Sequence, residues 1–341
     1  MTIWPKKLWS IALLIAALLV PPLSGGARAE VSELRMATQF GIGAMAMIVM
    51  RQNHILDKHL AAAGLKDVKI SWHQFPGGNP MNEGLVSGSL DIVSGGTTVF
   101  ITLWAKAKGS PAAVRSIGAV SALPLWFMTR NPKVRRLEDL TEGDRIALTT
   151  VKVSVHAILL QMAAEKIWGP ASSNKFDALT VGISHGDAAV ALISGGTEIN
   201  NHFSAPPFQE QEAKAAGVRR VTTAEEILGG PASYMVAYTT EKFRAENPKT
   251  YGAYVSALRE VIDTINKNPR AAAKDYLDAS KDKISVDDCV AMMTDPGSKF
   301  TMTPSSVTTF ANFMFKQGLI KARPDSWKDM FFPEVHDGAG S

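Results

Sequence analysis

Short runs of Gly, Ser, Thr and Asn recur where apolar, strand-like segments end, and these residue types are suited to holding a small molecule. They are Gln39-Phe40-Gly41, Gly77-Gly78-Asn79 and Gly96-Thr97-Thr98 in the first part of the chain, then Thr150, Lys152, Ser154, His185-Gly186-Asp187 and Phe203-Ser204. Glycine lets a backbone approach a ligand closely, and Ser and Thr add hydroxyl donors. Outside the carboxyl ends of parallel strands, the following helices aim free N–H groups and positive dipole ends at whatever binds there. That arrangement can hold an anion without arginine.

Each of these residues also has a plainer reading. Gly95-Gly96-Thr97-Thr98 would serve equally as a turn and a helix cap, with or without ligand contact. Ser154 can cap the helix it starts, although its place at the head of the main helix of the second half favours contact. Lys152 is either a solvated charge or the countercharge of a carboxylate or sulfonate. His185 reads as a loop residue before an Asp187 N-cap, and His156 as a buried helix residue with one hydrogen bond. Neither has the i, i+4 partner of a helical zinc pair, so no metal and no cofactor are expected. Phe40, Trp126 and Phe203 could wall an apolar part of a ligand or simply fill core. Amide donors mixed with aromatic walls fit a small organic acid better than bare nitrate. There is no Gly-x-Ser-x-Gly elbow and no phosphate-binding loop, and Cys289 is the only cysteine, so no intrachain disulfide can form.

The elements that must position these residues alternate between strand and helix, the grammar of a parallel sheet. Strands are expected at 34–38, 68–74 and 90–94, with helices at 44–62 and 79–87 between them. Two further strands fit 114–129 around Pro124. The pattern then repeats, with strands at 146–149, 178–183 and 198–203 and helices at 153–167 and 187–194. After a strand at 234–239 the chain turns mainly helical, at 240–247, 248–268, 269–279, 285–294 and 304–317, several of these starting with Thr, Ser or Pro in first-turn positions. Met292, Met293, Phe310, Phe313 and Met314 read as core there, with Trp327, Phe331 and Phe332 as anchors of the tail.

One octet occurs twice. Leu85-Val86-Ser87-Gly88-Ser89-Leu90-Asp91-Ile92 returns as Leu192-Ile193-Ser194-Gly195-Gly196-Thr197-Glu198-Ile199. Each is a helix end, a glycine able to turn left-handed, and the start of a buried strand. Placed in equivalent α/β units, the pair points to duplicated lobes whose strands end in facing loops, 94–98 in one and 200–204 in the other.

At the N-terminus, Lys6 and Lys7 precede the apolar run 8–20, and Ala27-Arg28-Ala29 supplies a small-x-small site. This is the pattern of a cleavable secretory signal, and the run is shorter than the ~20 residues that span a bilayer. Cleavage after Ala29 is expected to release a free periplasmic protein. Losing Lys6, Lys7 and Arg28 takes three positive charges from a net +4, which removes any case for a nucleic-acid partner.

In their order and spacing these segments resemble a known family, the periplasmic substrate-binding components of ABC importers for nitrate, aliphatic sulfonates, taurine and related compounds. That family shares its domain with thiamine-pyrimidine synthesis proteins. The marks are Gly64-Leu65 after the 55–60 helix, Phe75-Pro76-Gly77-Gly78, the octet 85–92, Leu137-Glu138-Asp139-Leu140, Val153-Ser154-Val155-His156, Ser184-His185-Gly186-Asp187-Ala188, and the tail Gly318-Leu319-Ile320 through Ser326-Trp327-Lys328-Asp329. The sequence departs from the family at His54, where glycine is usual, and at Lys152-Val153-Ser154, where a Gly-Ser-Ser-like turn is usual.

The resemblance implies the two-lobed α/β fold of type II periplasmic binding proteins, each lobe a mixed, mainly parallel sheet flanked by helices. Lobe one would comprise 30–135 and 230–341, lobe two 136–229, and residues 1–29 the signal. Hinge crossings would fall near 130–140 and 222–233. The implied function is non-catalytic: a monomer that captures a small anionic molecule and docks on an ABC permease with its ATPase. A pyrimidine-forming enzyme of the same superfamily is the alternative, disfavoured by export and by the absence of a Cys cluster, and a ligand-sensing partner of a membrane receptor is another.

Overall fold

The computed structural model describes Met1 and residues 30–341, so the expected signal segment lies, apart from Met1, outside the described residues. In chain order the strands are β1 (Glu33–Thr38), β2 (Lys69–Gln74), β3 (Ile92–Gly96), β4 (Val114–Ala122), β5 (Trp126–Thr129), β6 (Ile146–Leu148), β7 (Thr180–Gly182), β8 (Asn201–Ser204), β9 (Arg219–Thr223), β10 (Ser233–Thr240) and β11 (Lys299–Phe300). They form two sheets, ordered β11-β4-β10-β3-β1-β2 and β7-β6-β8-β5-β9.

Five strands of the first sheet match the five of the second, β11 being an added edge strand that pairs antiparallel with β4. In the first, β1 pairs in parallel with β2 and β3; in the second, β6 pairs in parallel with β7 and β8. Beyond each trio lies one reversed strand, β10 against β3 and β5 against β8, and each reversed strand in turn pairs antiparallel with β4 or β9. Most strands in either sheet therefore share a direction. The first crossing delivers β5 to the second sheet and the return delivers β10 to the first, so the first sheet is complete only after both crossings.

The first crossing is earlier than expected. Trp126–Thr129 already pairs with β8 and β9 of the second sheet, so the chain changes lobe at 123–125 and not near 130–140, and 126–135 belongs with lobe two. Pro124 has no N–H to continue a ladder, and it ends the pairing of β4. The return runs through 229–232, between the helix Ala224–Leu228 and β10.

Both octets end a helix on a left-handed glycine: Gly88 (φ 73°) after the helix Gly78–Ser87, and Gly195 (φ 68°) after His185–Ser194. The shared acid does not share a role. Asp91 is buried and takes a bidentate pair from Arg35 at 2.9 and 2.7 Å, whereas Glu198 is exposed; near it in lobe two the buried Asp144 is bonded to Asn131, Thr141, Asn200 and Asn201.

The single helix expected over 44–62 is two, Met45–Gln52 and Ile55–Ala62, broken where His54 adopts the left-handed conformation (φ 49°). The break lets the first piece pack on the helix Pro269–Ser280 and the second on Pro248–Lys267. Phe310, Phe313, Met314, Met292 and Met293 are buried, as are Trp327, Phe331 and Phe332, with Phe331 edge-on to Phe100 at 6.0 Å. Among the described residues no helix is long and apolar enough to cross a membrane.

Candidate functional site

The carboxyl ends of both sheets meet around a cavity of about 300 Å³. From lobe one come the loop after β1 (Gln39, Phe40, Gly41), Gln74 at the end of β2 with Pro76 after it, and Ser280 at the end of the helix Pro269–Ser280 with Asp282 beyond it. Lobe two adds Thr149 after β6, the first turn of the helix His185–Ser194 with Ser184, His185 and Gly186, and Phe208. Parallel strands put these loops together because a strand's end and the next helix's start share one edge of the sheet.

The lobes touch around this cavity. Thr98 donates its hydroxyl to Val153 O at 2.6 Å, and Ile42 N–H donates to Pro206 O at 3.2 Å. Gly41 (φ 93°) and Gly77 serve that seam. A Cβ on Gly41 would lie 3.2 Å from Pro206 O, and one on Gly77 would lie 2.8 Å from Thr150 Oγ1 and 3.0 Å from Thr149 O.

The candidate residues thus divide. Gln39, Phe40, Gly41 and His185 line the cavity, Phe40 half exposed at 49%. Gln39 also turns its amide oxygen to Gly96 N–H at 3.2 Å, at the head of the helix Thr97–Ala107. Gly77 and Thr150 meet in the seam, while Gly78 is pressed on Val99. Thr97 donates to Ser233 O at 2.7 Å, and Ser154 caps its helix by accepting from Ala157 N–H at 3.2 Å. Phe203 is core, edge-on to Phe127 at 5.8 Å. Asn79 and Lys152 are exposed and outside the cavity lining, and Asp187 accepts from the Ser184 hydroxyl at 2.6 Å. Lys152 holds a left-handed turn (φ 66°), the conformation glycine adopts most easily.

Behind His185 runs a buried polar chain that sequence reasoning missed. Tyr234 Oη lies 3.3 Å from His185 Nε2, His185 Nδ1 lies 2.8 Å from His202 Nε2, and His202 Nδ1 lies 2.5 Å from Glu212 Oε1. Ser204 adds its hydroxyl to Glu212 Oε1 at 3.3 Å. Burial favours the neutral form of every member. It pushes the Glu212 carboxyl up to about 9 and His202 down to about 3, and it holds His185 and His156 well below the usual imidazole value. The Glu212–His202 contact is therefore a carboxylic acid bonded to a neutral imidazole. His156 packs edge-on to His185 at 4.8 Å, and neither of its ring nitrogens makes a geometrically sound hydrogen bond. Among the described residues no group of three His, Cys, Asp or Glu is arranged to hold a metal.

The charge of the cavity is distinctive. Asp282 is the one formally charged side chain in its lining, and neither Lys nor Arg contributes. What favours negative charge is the first turn of His185–Ser194, whose N–H groups have no intrahelical acceptor. Asp282 accepts from Tyr276 Oη and belongs to lobe one.

No family model matches the sequence, and no curated protein does. Solved structures do match in fold. The alkanesulfonate-binding protein of Xanthomonas axonopodis pv. citri, bound to MOPS, superimposes with TM-score 0.66 at 18% identity over 86% of this chain and 96% of its own. The periplasmic aliphatic sulphonate binding protein of Escherichia coli gives 0.63 at 18% identity over 91% and 100%. The periplasmic nitrate-binding protein of Synechocystis PCC 6803 gives 0.65 at 11% identity over 89% and 87%. The likeness is to the periplasmic binding protein fold.

Proposed function

We propose that this chain is a periplasmic solute-binding protein that captures a small acidic organic molecule between its lobes and passes it to an ABC permease and its ATPase. The observation that carries this is a cavity of about 300 Å³ walled by both lobes at the carboxyl ends of their strands. A site of that build is opened and closed by bending at two chain crossings, here 123–125 and 229–232. Residues 1–29 act as the export signal, cleaved after Ala29, and the mature protein works as a monomer.

The chemistry of the walls narrows the solute. An acidic group suits the first turn of His185–Ser194, where the backbone N–H groups have no intrahelical acceptor. Asp282 and Ser280 suit a hydrogen-bond donor at another point of the same molecule, while Phe40 and Phe208 cover an apolar body. A short carboxylate or sulfonate with a donor group fits better than nitrate, which has no hydrogen to donate to Asp282 or Ser280. The proteins of similar fold are described as binding alkanesulfonates, aliphatic sulphonates and nitrate, which supports the class.

Mass spectrometry of solute released on gentle unfolding tests the proposal, alongside thermal-shift screening with sulfonates, carboxylates, nitrate and pyrimidines. A ligand stabilises by RT ln(1 + [L]/Kd), so saturation at 100 Kd adds about 2.7 kcal/mol. No released solute and no stabilisation by any of these compounds would defeat it.

A further inference from the structure

We propose that the cleft generates its own countercharge: when an acidic solute arrives, the carboxyl proton of Glu212 is relayed through His202 to His185. This rests on the reading of the cleft as the site of an acidic solute. The need arises from the lining, which offers a helix N-terminus but neither Lys nor Arg, and carries the carboxylate of Asp282. A cation on demand would answer it.

The geometry for transfer is present. Contacts of 2.5 Å (Glu212 Oε1 to His202 Nδ1) and 2.8 Å (His202 Nε2 to His185 Nδ1) join the carboxyl to the cavity wall, and all three side chains are buried. In the empty cleft Glu212 Oε1–H donates to His202 Nδ1, His202 Nε2–H donates to His185 Nδ1, and His185 keeps its own proton on Nε2. Two protons then each move one step. The O–H bond of Glu212 and the Nε2–H bond of His202 break, and N–H bonds form at His202 Nδ1 and His185 Nδ1. His202 ends neutral, His185 is an imidazolium, Glu212 is a carboxylate, and no proton enters or leaves the protein.

Each end is prepared for its change. Burial keeps the proton on Glu212 at neutral pH, and the hydroxyl of Ser204 is in place for the carboxylate that forms. The groups facing His185 are His156 from the helix Val155–Trp168, His202 from β8, Phe208 and Tyr234, with Asp282 across the cavity. None but Asp282 carries a formal charge. A cation in the first turn of a helix opposes the dipole, which keeps His185 neutral until an anion reverses the local field. The other nitrogen, Nε2–H, remains donated to Tyr234 Oη, which ties the new cation to lobe one.

The test uses the full chain with methanesulfonate, acetate and nitrate as probes. Nitrogen-15 NMR of labelled histidine is expected to show His185 gaining a second N–H on binding at neutral pH. The carboxyl carbon of Glu212 should shift to the carboxylate position, and the binding heat should be equal in buffers of different ionisation enthalpy. Glu212→Gln keeps a hydrogen bond to His202 but cannot release a proton to it, and is expected to bind the same probe about tenfold more weakly or worse, with His185 neutral. Should that variant not fold, Ser204→Ala removes one donor from the carboxylate and is expected to weaken binding about threefold. A bound probe with His185 still neutral, a heat that follows the buffer, or variants that bind like the wild type would overturn the relay and leave solute binding intact. Failure of all three probes to raise the melting temperature removes the acidic solute and the relay together.

Discussion

The hydroxyl of Thr98, in lobe one, is donated to the carbonyl of Val153, in lobe two, at 2.6 Å. Both groups are main elements of the seam, and separation of the lobes breaks this bond. Thr98→Val keeps the shape and removes the donor, leaving Val153 O unpaired only when the lobes are shut. It is expected to disfavour closure by ~1 kcal/mol, about a fivefold change in the closed-to-open ratio. Small-angle scattering of the solute-free protein reads this as a larger radius of gyration. An unchanged radius would mean that the bond does not contribute to closure.

Gly77 has an extended backbone (φ −155°), so any residue can adopt its conformation, yet a Cβ there would meet Thr150 Oγ1 at 2.8 Å. The clash exists only while the lobes are closed. Gly77→Ala should leave the melting temperature of the solute-free protein almost unchanged and weaken solute binding by about tenfold, ~1.4 kcal/mol. A large drop in melting temperature would instead place the strain within lobe one.

How much of this was legible in the sequence follows from the range over which each signal acts. Apolar periodicity and capping residues are local, so the helices Pro248–Lys267 and Val307–Lys316 and the strands β1, β2 and β6 were found within a few residues of their limits. The octets located the left-handed glycines Gly88 and Gly195, because a glycine just past a helix's last turn commonly takes that conformation. The chain Tyr234–His185–His202–Glu212 was invisible for the opposite reason: its members are brought together from β10, β8 and two separate helices, and Glu212 sits in a short polar helix, Phe208–Ala213, that reads as solvent-facing. Thr97, Ser154 and Phe203 were selected for chemistry that small polar and aromatic residues can do, but caps and core use the same residue types.

His54 is a residue whose meaning changed. The resemblance read from the sequence implies glycine at this position, and the φ of 49° at His54 is a conformation that glycine adopts most easily. A non-glycine residue in the left-handed region costs about 1–2 kcal/mol, while glycine gives back about 0.5–1 kcal/mol through the entropy of the unfolded chain. His54→Gly is therefore expected to stabilise the protein by ~0.5–1 kcal/mol, raising the melting temperature by about 1–3 °C. Destabilisation would imply that the exposed contact of His54 with Asp57, at 3.6 Å, outweighs the backbone strain.

The buried chain also makes stability depend on pH in two opposed ways. Glu212 is held protonated in the fold up to about 9, whereas an unfolded glutamate ionises near 4.5, so the folded state binds the extra proton between those values. Its contribution is complete at low pH and is lost as pH rises toward 9. The three histidines act in reverse. His156 and His185 are kept neutral well below 6.5 and His202 down to about 3, so the unfolded chain binds the extra protons and stability is lost as pH falls below 6.5. Glu212→Gln should flatten the decline of melting temperature from neutral pH to about 9 and leave the acid side steep. His156→Leu should do the converse, reducing the acid slope because one fewer imidazole must be kept neutral. If Glu212→Gln loses stability toward alkaline pH as fast as the wild type, the carboxyl is already ionised in the fold. The charge on His202 must then be assigned afresh, since a buried carboxylate at 2.5 Å would hold that imidazole protonated.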